Sequence, residues 1–466
     1  MEPTSSLHSK RLQSYQNQLS RNPALAAALQ GALTESDGLT DDGLLYLHVL
    51  APTLVEYTEW VLRSARASGI RRLYFLARDA YPMYQTAQLL CQSRGWDLDC
   101  RYLKVSRYAI RLPEYHLLGE RCVDRICLGG IRVTLFKILT RAGLSPEEMD
   151  AVVSDIDFPG GLRRELLYPE VMALRGTLAK SEVFRTAVEN HSREAFPAAL
   201  GYLRQEGLLD DVSYALVDSG WVGTLQESLQ RVLRTEKPEL KLRGYYFGLY
   251  EIPKEMQPDQ YACFYFSPGL QIARKTRFSN CLFETVFSAP NGMTLRYREE
   301  QGRFLPVESG RENNNAESLA RWDALLLRFA EHYCACADAR PGGAKLCQRL
   351  LSRFMGSPEP WEVAAYGGNL FCDDVVDNTL QEVAARLTRE EIRNQRLLSK
   401  LLIFAGLKKG EIHESSWIEG SIVRCGGAVK RELFHAHVYK SLIYVRKLWK
   451  NKGILLGNNT FSSFGS

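Results

Sequence analysis

The sequence predicts an α/β protein: a Rossmann-like parallel sheet core with a helical insertion and a mainly helical C-terminal domain. Three observations carry that prediction. The runs "RRLYFLARD", "LDCRYLKVS", "VSYALVDSG" and "LKLRGYYFGLY" are short, apolar and bounded by polar or turn residues, as buried strands are. Helix-patterned segments alternate with them, "YPMYQTAQLLCQSRG" after the first and "GTLQESLQRVL" after the third, and strand, helix, strand at this spacing builds a parallel sheet. Residues from about 115 to 208 read as mostly helical and interrupt that rhythm, as an inserted layer would.

Taken in order, residues 1–40 are polar and mixed, with a helical piece near "NPALAAALQGAL", and are expected to form an N-terminal arm. The core is expected over 41–308. It opens with "LLYLHVLAPTLVEYTEWVLRSARASG", whose apolar residues recur at helical spacing up to a stop at Gly69. The first strand then leads to a helix that stops near Gly95, and the second strand ends near Ser106 and Arg107. After the insertion, which has a break at "DFPGG", the third strand runs through a glycine-rich turn into its helix, and a fourth follows. "FETVFSAPNGMTLRYREEQGRFLPV" reads as a hairpin turning near Asn291 and Gly292. The Asn-rich "ESGRENNNAES" is the expected boundary, with a helical domain and a basic tail over 309–466.

Composition narrows the classes. With 466 residues, 45% of them hydrophobic, the chain can bury a large core. Its 59 basic and 54 acidic residues leave a spread excess of +5, which points to no nucleic-acid partner. The eleven cysteines are odd in number and none has C-x-x-C spacing, so reduced thiols are expected. The opening residues lack a signal-peptide pattern and no apolar run is long enough to span a bilayer, so the expected compartment is the cytoplasm.

Candidate chemistry gathers at strand ends. Ligands of an open parallel sheet bind outside the carboxyl ends of its strands, and Asp79, Ser106 and Asp218 stand at three such ends. Each precedes a helix or turn whose free N–H groups favour phosphate. Two carboxylates there, Asp79 and Asp218, would suit Mg²⁺, which takes one or two carboxylates plus waters and substrate oxygens. The plainer reading makes all three residues helix caps. Trp221 is expected to pack, Glu284 to be a buried acid with a basic partner or a site residue, and His435 and His437, read on one side of a strand, to be structural.

In order along the chain, "FLARDAYPMY", "VSRYAIRLP", "VDSGWVGTLQ", "FETVFSAPNGMTLRY" and "SSWIEGSI" resemble predicted hydrolases of the haloacid dehalogenase (HAD) superfamily associated with bacterial surface-polysaccharide biosynthesis, some of them fused to glycosyltransferases. The resemblance implies an aspartyl-phosphate mechanism on a phosphorylated sugar or related intermediate. Asp79 would be the nucleophile, Ser106 with Arg107 the phosphate binders, and Asp79 with Asp218 the Mg²⁺ ligands. It also implies a glycosyltransferase as partner. Tyr81 stands where the superfamily carries its acid/base Asp, no second acid follows Asp218 until Glu227, and Arg78, Lys104 and Arg107 compete for the cationic role. A rival reading takes "VDSGWVGT" as a phosphoribosyltransferase-like phosphate loop, with Gly220 and Gly223 admitting the phosphate and Thr224 donating to it. A third is an inactive binding or scaffold module assisting glycosyltransferases. The tail "YKSLIYVRKLWKNKG" interleaves basic with apolar residues; packing on its own domain is expected, and peripheral contact with an anionic membrane is the alternative.

Overall fold

A computed structural model describes residues 3–128, 133–336, 341–372, 380–404 and 407–450. Five parallel strands form the central sheet: β1 (Arg72–Leu76), β2 (Asp99–Leu103), β3 (Tyr214–Trp221), β4 (Gly244–Leu249) and β5 (Tyr261–Phe266), in the order β2-β1-β3-β4-β5. The near-continuous apolar runs of the inner strands follow from burial on both faces; every residue of β4 is buried, whereas the edge strand β2 buries only Leu103. The chain leaves β1 toward β2 on one side and returns to β3 on the other. The order therefore reverses between β1 and β3, and the crevice for a ligand opens beyond their carboxyl ends.

The insertion is as the sequence suggests. Among the described residues, the segment between β2 and β3 is helical or loop apart from one isolated bridge between Thr134 and Glu165, and it encloses a core of its own from Tyr115 to Val188.

The two flanking segments differ from expectation. Residues 1–40 are not an arm: Tyr15, Leu19, Leu25 and Ala28 are inaccessible to solvent and share one core with Leu319, Trp322 and Phe329. The helix Pro3–Leu19 is polar on average and buries Arg11, Tyr15 and Leu19 at a spacing of four, a face that averaging hides, whereas Pro23–Thr34 is mostly apolar along its length. For the same reason the boundary near 308 does not separate cores, because a single apolar cluster runs from Tyr15 to Val423. Buried ion pairing ties the ends together, with Arg11 and Tyr15 both on Glu362 at 3.0 and 2.6 Å.

The hairpin also turns elsewhere. Strands β6 (Thr294–Glu300) and β7 (Arg303–Glu308) pair around Gln301 and Gly302, both at positive φ (50° and 76°), the geometry of a two-residue type I′ loop. A short hairpin, β8 (Leu370–Cys372) with β9 (Leu380–Glu382), interrupts the helical C-terminal part. His435 and His437 lie on the helix Val429–Lys450 rather than on a strand. All eleven cysteines are free, and among the described residues no helix is long and apolar enough to cross a membrane.

Candidate active site

Beyond the end of β1 the chain turns through Arg78 and Asp79 into the helix Tyr81–Arg94, and this turn is held from two sides. The Arg78 carbonyl accepts from Ala289 N at 3.1 Å, which draws in the segment following the helix Asn280–Val286. On the other side, Ser219 of β3 donates its hydroxyl to Asp79 Oδ2 at 2.6 Å. Parallel register sets Phe75 opposite Val217, so Asp218 and Ser219 sit just above the end of β1.

The end of β3 is bent. Gly220 (φ 110°) and Trp221 (φ 75°) both take positive φ. Gly220 is required there by a close approach, since a Cβ on it would lie 2.5 Å from the carbonyl of Gly248. Trp221 has no such freedom, and a bulky side chain in the left-handed region is strained. What the bend achieves is an aim: the Trp221 indole N–H donates to Glu284 Oε1, while its ring packs on Phe278 and Phe283. Trp221 packs as expected, and the side chain that hydrogen-bonds Glu284 is this indole rather than the basic residue expected for it.

Three carboxyl groups share this crevice. Burial pushes each one upward, and the charge of Asp79 is the next cause for both others, bringing Asp218 to about 7 and Glu284 to about 8. Asp79 itself is raised by burial, opposed by the Ser219 hydrogen bond and by the charges of Arg78 and Arg107. Arg107 acts on all three acids. Neither Arg78 nor Arg107 makes a side-chain hydrogen bond or ion pair among the described residues, so both keep their donors for another anion. Arg111, one turn beyond Arg107, is a further cation lowered to about 10 by burial, with its Nε unpartnered.

Beside the acids lies a cavity of about 440 Å³, whose walls include Arg78, Asp79, Tyr108, Glu284, Ser288 and Arg311. Part of its wall is the Asn-rich segment expected from the sequence to be a domain boundary. Asn313 donates to the Ala289 carbonyl at 3.3 Å, and Asn315 both donates to and accepts from the backbone of Leu370, at 2.7 and 3.0 Å. The asparagines therefore close the site instead of separating domains.

Other expected site residues lie differently. The hydroxyl of Ser106 donates to the Thr294 carbonyl at 2.6 Å and accepts from Ala109 N at 2.9 Å, capping the helix Arg107–Leu118. Its single proton is spent, which corrects its expected role as a phosphate donor. Tyr81 accepts from Gln85 at 3.2 Å, stacks edge-on against Tyr102 and does not line the cavity. Lys104 is paired with Glu308 at 2.8 Å. Gly220, Gly223 and Thr224 do not line the cavity either. Gly223 (φ 69°) opens the helix Thr224–Leu233, whose first turn carries Glu227 paired with Arg125 and Arg231. Sequence reasoning passed over Tyr102 on β2, whose buried hydroxyl has no partner and whose phenol is pushed up by burial and then by Asp79. Only its place on the strand beside β1 signals it.

Among the described residues no group of three or more His, Cys, Asp or Glu forms a ready metal shell. The donor chemistry nevertheless fits a hard cation: Asp79 and Asp218 offer oxygen ligands, and the charge of Asp79 raises the proton affinity of Asp218, a repulsion that a divalent ion relieves. No family model matches the chain, and no curated protein matches it.

Proposed function

We propose that the protein transfers a phosphoryl group from a phosphorylated sugar or related polysaccharide intermediate, to water or to a second acceptor, through an aspartyl-phosphate on Asp79. The observation that carries this reading is the meeting of Asp79, Asp218 and Glu284 at the point where the strand order reverses, with Arg78 and Arg107 beside them and unpaired. Arg78 and Arg107 bind the phosphate dianion and orient phosphorus toward Asp79. Ser219 fixes the Asp79 carboxylate by its hydrogen bond to Oδ2, leaving the other oxygen to attack.

The departing oxygen needs a proton, and Glu284 supplies it. Its carboxyl is held near 8 and is protonated at neutral pH, a task for which Tyr81 is misplaced. Once ionised, Glu284 takes the proton back from the water that hydrolyses the aspartyl-phosphate. Asp79 and Asp218 would hold Mg²⁺, which supplies charge neutralisation at the transferring phosphoryl group.

The test is phosphate release from a panel of sugar phosphates with and without Mg²⁺. Turnover is expected with Mg²⁺, abolished by Asp79→Asn. If no ester turns over and Asp79→Asn leaves ligand binding intact, the enzyme reading fails. A binding module acting beside a glycosyltransferase then becomes the better account.

A further inference from the structure

Exposed large apolar residues are unevenly spread along the described chain. Twelve large hydrophobic residues are exposed among the described residues, and seven of them fall between Leu398 and Val445. Four belong to the helix Val429–Lys450. Phe434, Val438, Leu442 and Val445 are 64%, 36%, 46% and 37% exposed, and their spacing of four, four and three residues sets them in one stripe.

This stripe is not the face that packs on the body. The inward face is already occupied: Tyr444 stacks on Tyr250, Ser441 meets Thr276 at 3.1 Å, and Lys440 pairs with Glu419 at 2.7 Å. A helix apolar on both faces is one that something covers on both. A neighbouring helix, Leu397–Phe404, lies alongside through Lys400 over the ring of Tyr439 at 4.2 Å and adds exposed Leu398 and Leu401.

Charge identifies the cover. Lys430 and Arg431 are exposed at one end of the stripe and Arg446 at the other. The helix's one acid, Glu432, is buried and held by Arg396 at 2.8 Å and by Arg431 at 3.3 Å, which leaves Lys430 and Arg446, of these three cations, with no acid on their own helix. A second copy seated antiparallel on the stripe would set Lys430 and Arg431 against Arg446 of the other copy, cation against cation. An anionic bilayer meets both features at once, taking the apolar stripe at the level of the acyl boundary and the cations at the headgroups.

We propose that the outward face of the helix Val429–Lys450 seats the protein on the surface of an anionic lipid bilayer. The proposal is independent of the chemistry proposed for the crevice. It is tested by co-sedimentation of the full chain with vesicles of phosphatidylcholine alone and with about one-third phosphatidylglycerol. Binding is expected to the anionic vesicles only, and to weaken as salt rises from about 0.1 M to about 0.5 M. Phe434→Ser with Leu442→Ser, both at exposed positions, should abolish it. Each of Lys430→Gln, Arg431→Gln and Arg446→Gln should weaken it about fivefold. Absence of binding to the anionic vesicles, or binding undiminished in the serine variant, overturns the proposal. So does a lipid-free dimer, seen by sedimentation, that the serine variant dissociates.

Discussion

Replacing Glu284 by Gln isolates the electrostatic cost of assembling the crevice. The substitution keeps the side-chain shape and an oxygen to accept from the Trp221 indole, and it deletes the charge that Asp79 and Asp218 oppose. Raising this carboxyl from 4.5 to about 8 in the folded chain corresponds to about 5 kcal/mol at 1.36 kcal/mol per pH unit. Part of that repulsion is relieved when Asp218 takes a proton instead, so the expected gain is about 2 kcal/mol. The sign follows from proton binding. Between 4.5 and about 8 the folded chain holds the Glu284 proton and the unfolded chain does not, so stability falls as pH rises through that window. Below it the penalty is absent, and above it the penalty is complete. Urea unfolding of the metal-free protein at about pH 5.5 and about pH 8.5 reads this directly. The Gln variant should have the higher midpoint at the alkaline pH, by an amount equivalent to about 2 kcal/mol, and nearly the wild-type midpoint at the acid one. It should also lose phosphate release, since a stabilised site without its proton donor does no work. Equal midpoints at both pH values, or a loss of stability at the alkaline one, would refute the placement of Glu284 among the acids.

Two further substitutions test how the site is held. Gly220→Ala drives a Cβ to 2.5 Å from the Gly248 carbonyl at φ 110°. It should cost about 2–4 kcal/mol in thermal or urea unfolding and swing Trp221 off Glu284, visible as a shift in tryptophan emission. Arg11→Ala removes the cation facing fully buried Glu362 and should cost about 3 kcal/mol by urea unfolding, whereas an arm loosely attached to the surface would show almost no change.

The fold was legible where pattern and environment agree. The runs of β1, β3 and β4 were legible because a strand buried on both faces has no polar face to confuse the reading, whereas the edge strand β2, with Asp99 and Arg101, was legible from its place after the helix. The helical stretch between β2 and β3 was legible because it fills its own core. Residues 1–40 and the segment after 308 differ from expectation for one reason: each adds side chains to a core shared with the sheet, and a shared core is visible in neither segment alone. The Asn-Gly pair at 291–292 was taken for the hairpin turn because local turn chemistry is blind to which residues pair. Pairing between β6 and β7 chose Gln301 and Gly302 instead.

By itself the sequence determined the class of fold and the position of Asp79 in the turn beyond the first strand, because strand periodicity and turn residues are local properties; Asp218, expected at a strand end, lies inside β3, which runs on to Trp221. Only the tertiary structure decided which of those ends converge. It spent the Ser106 hydroxyl on a helix cap, turned Tyr81 toward Gln85 and Tyr102, and made Asn313 and Asn315 a wall. Glu284 comes from a helix 205 residues after Asp79 in the sequence, and Trp221 is bent onto it by a glycine that touches β4. The physical reason is that a carboxyl's proton affinity and a hydroxyl's freedom to donate are set by neighbours through space, and no spacing along the chain encodes them.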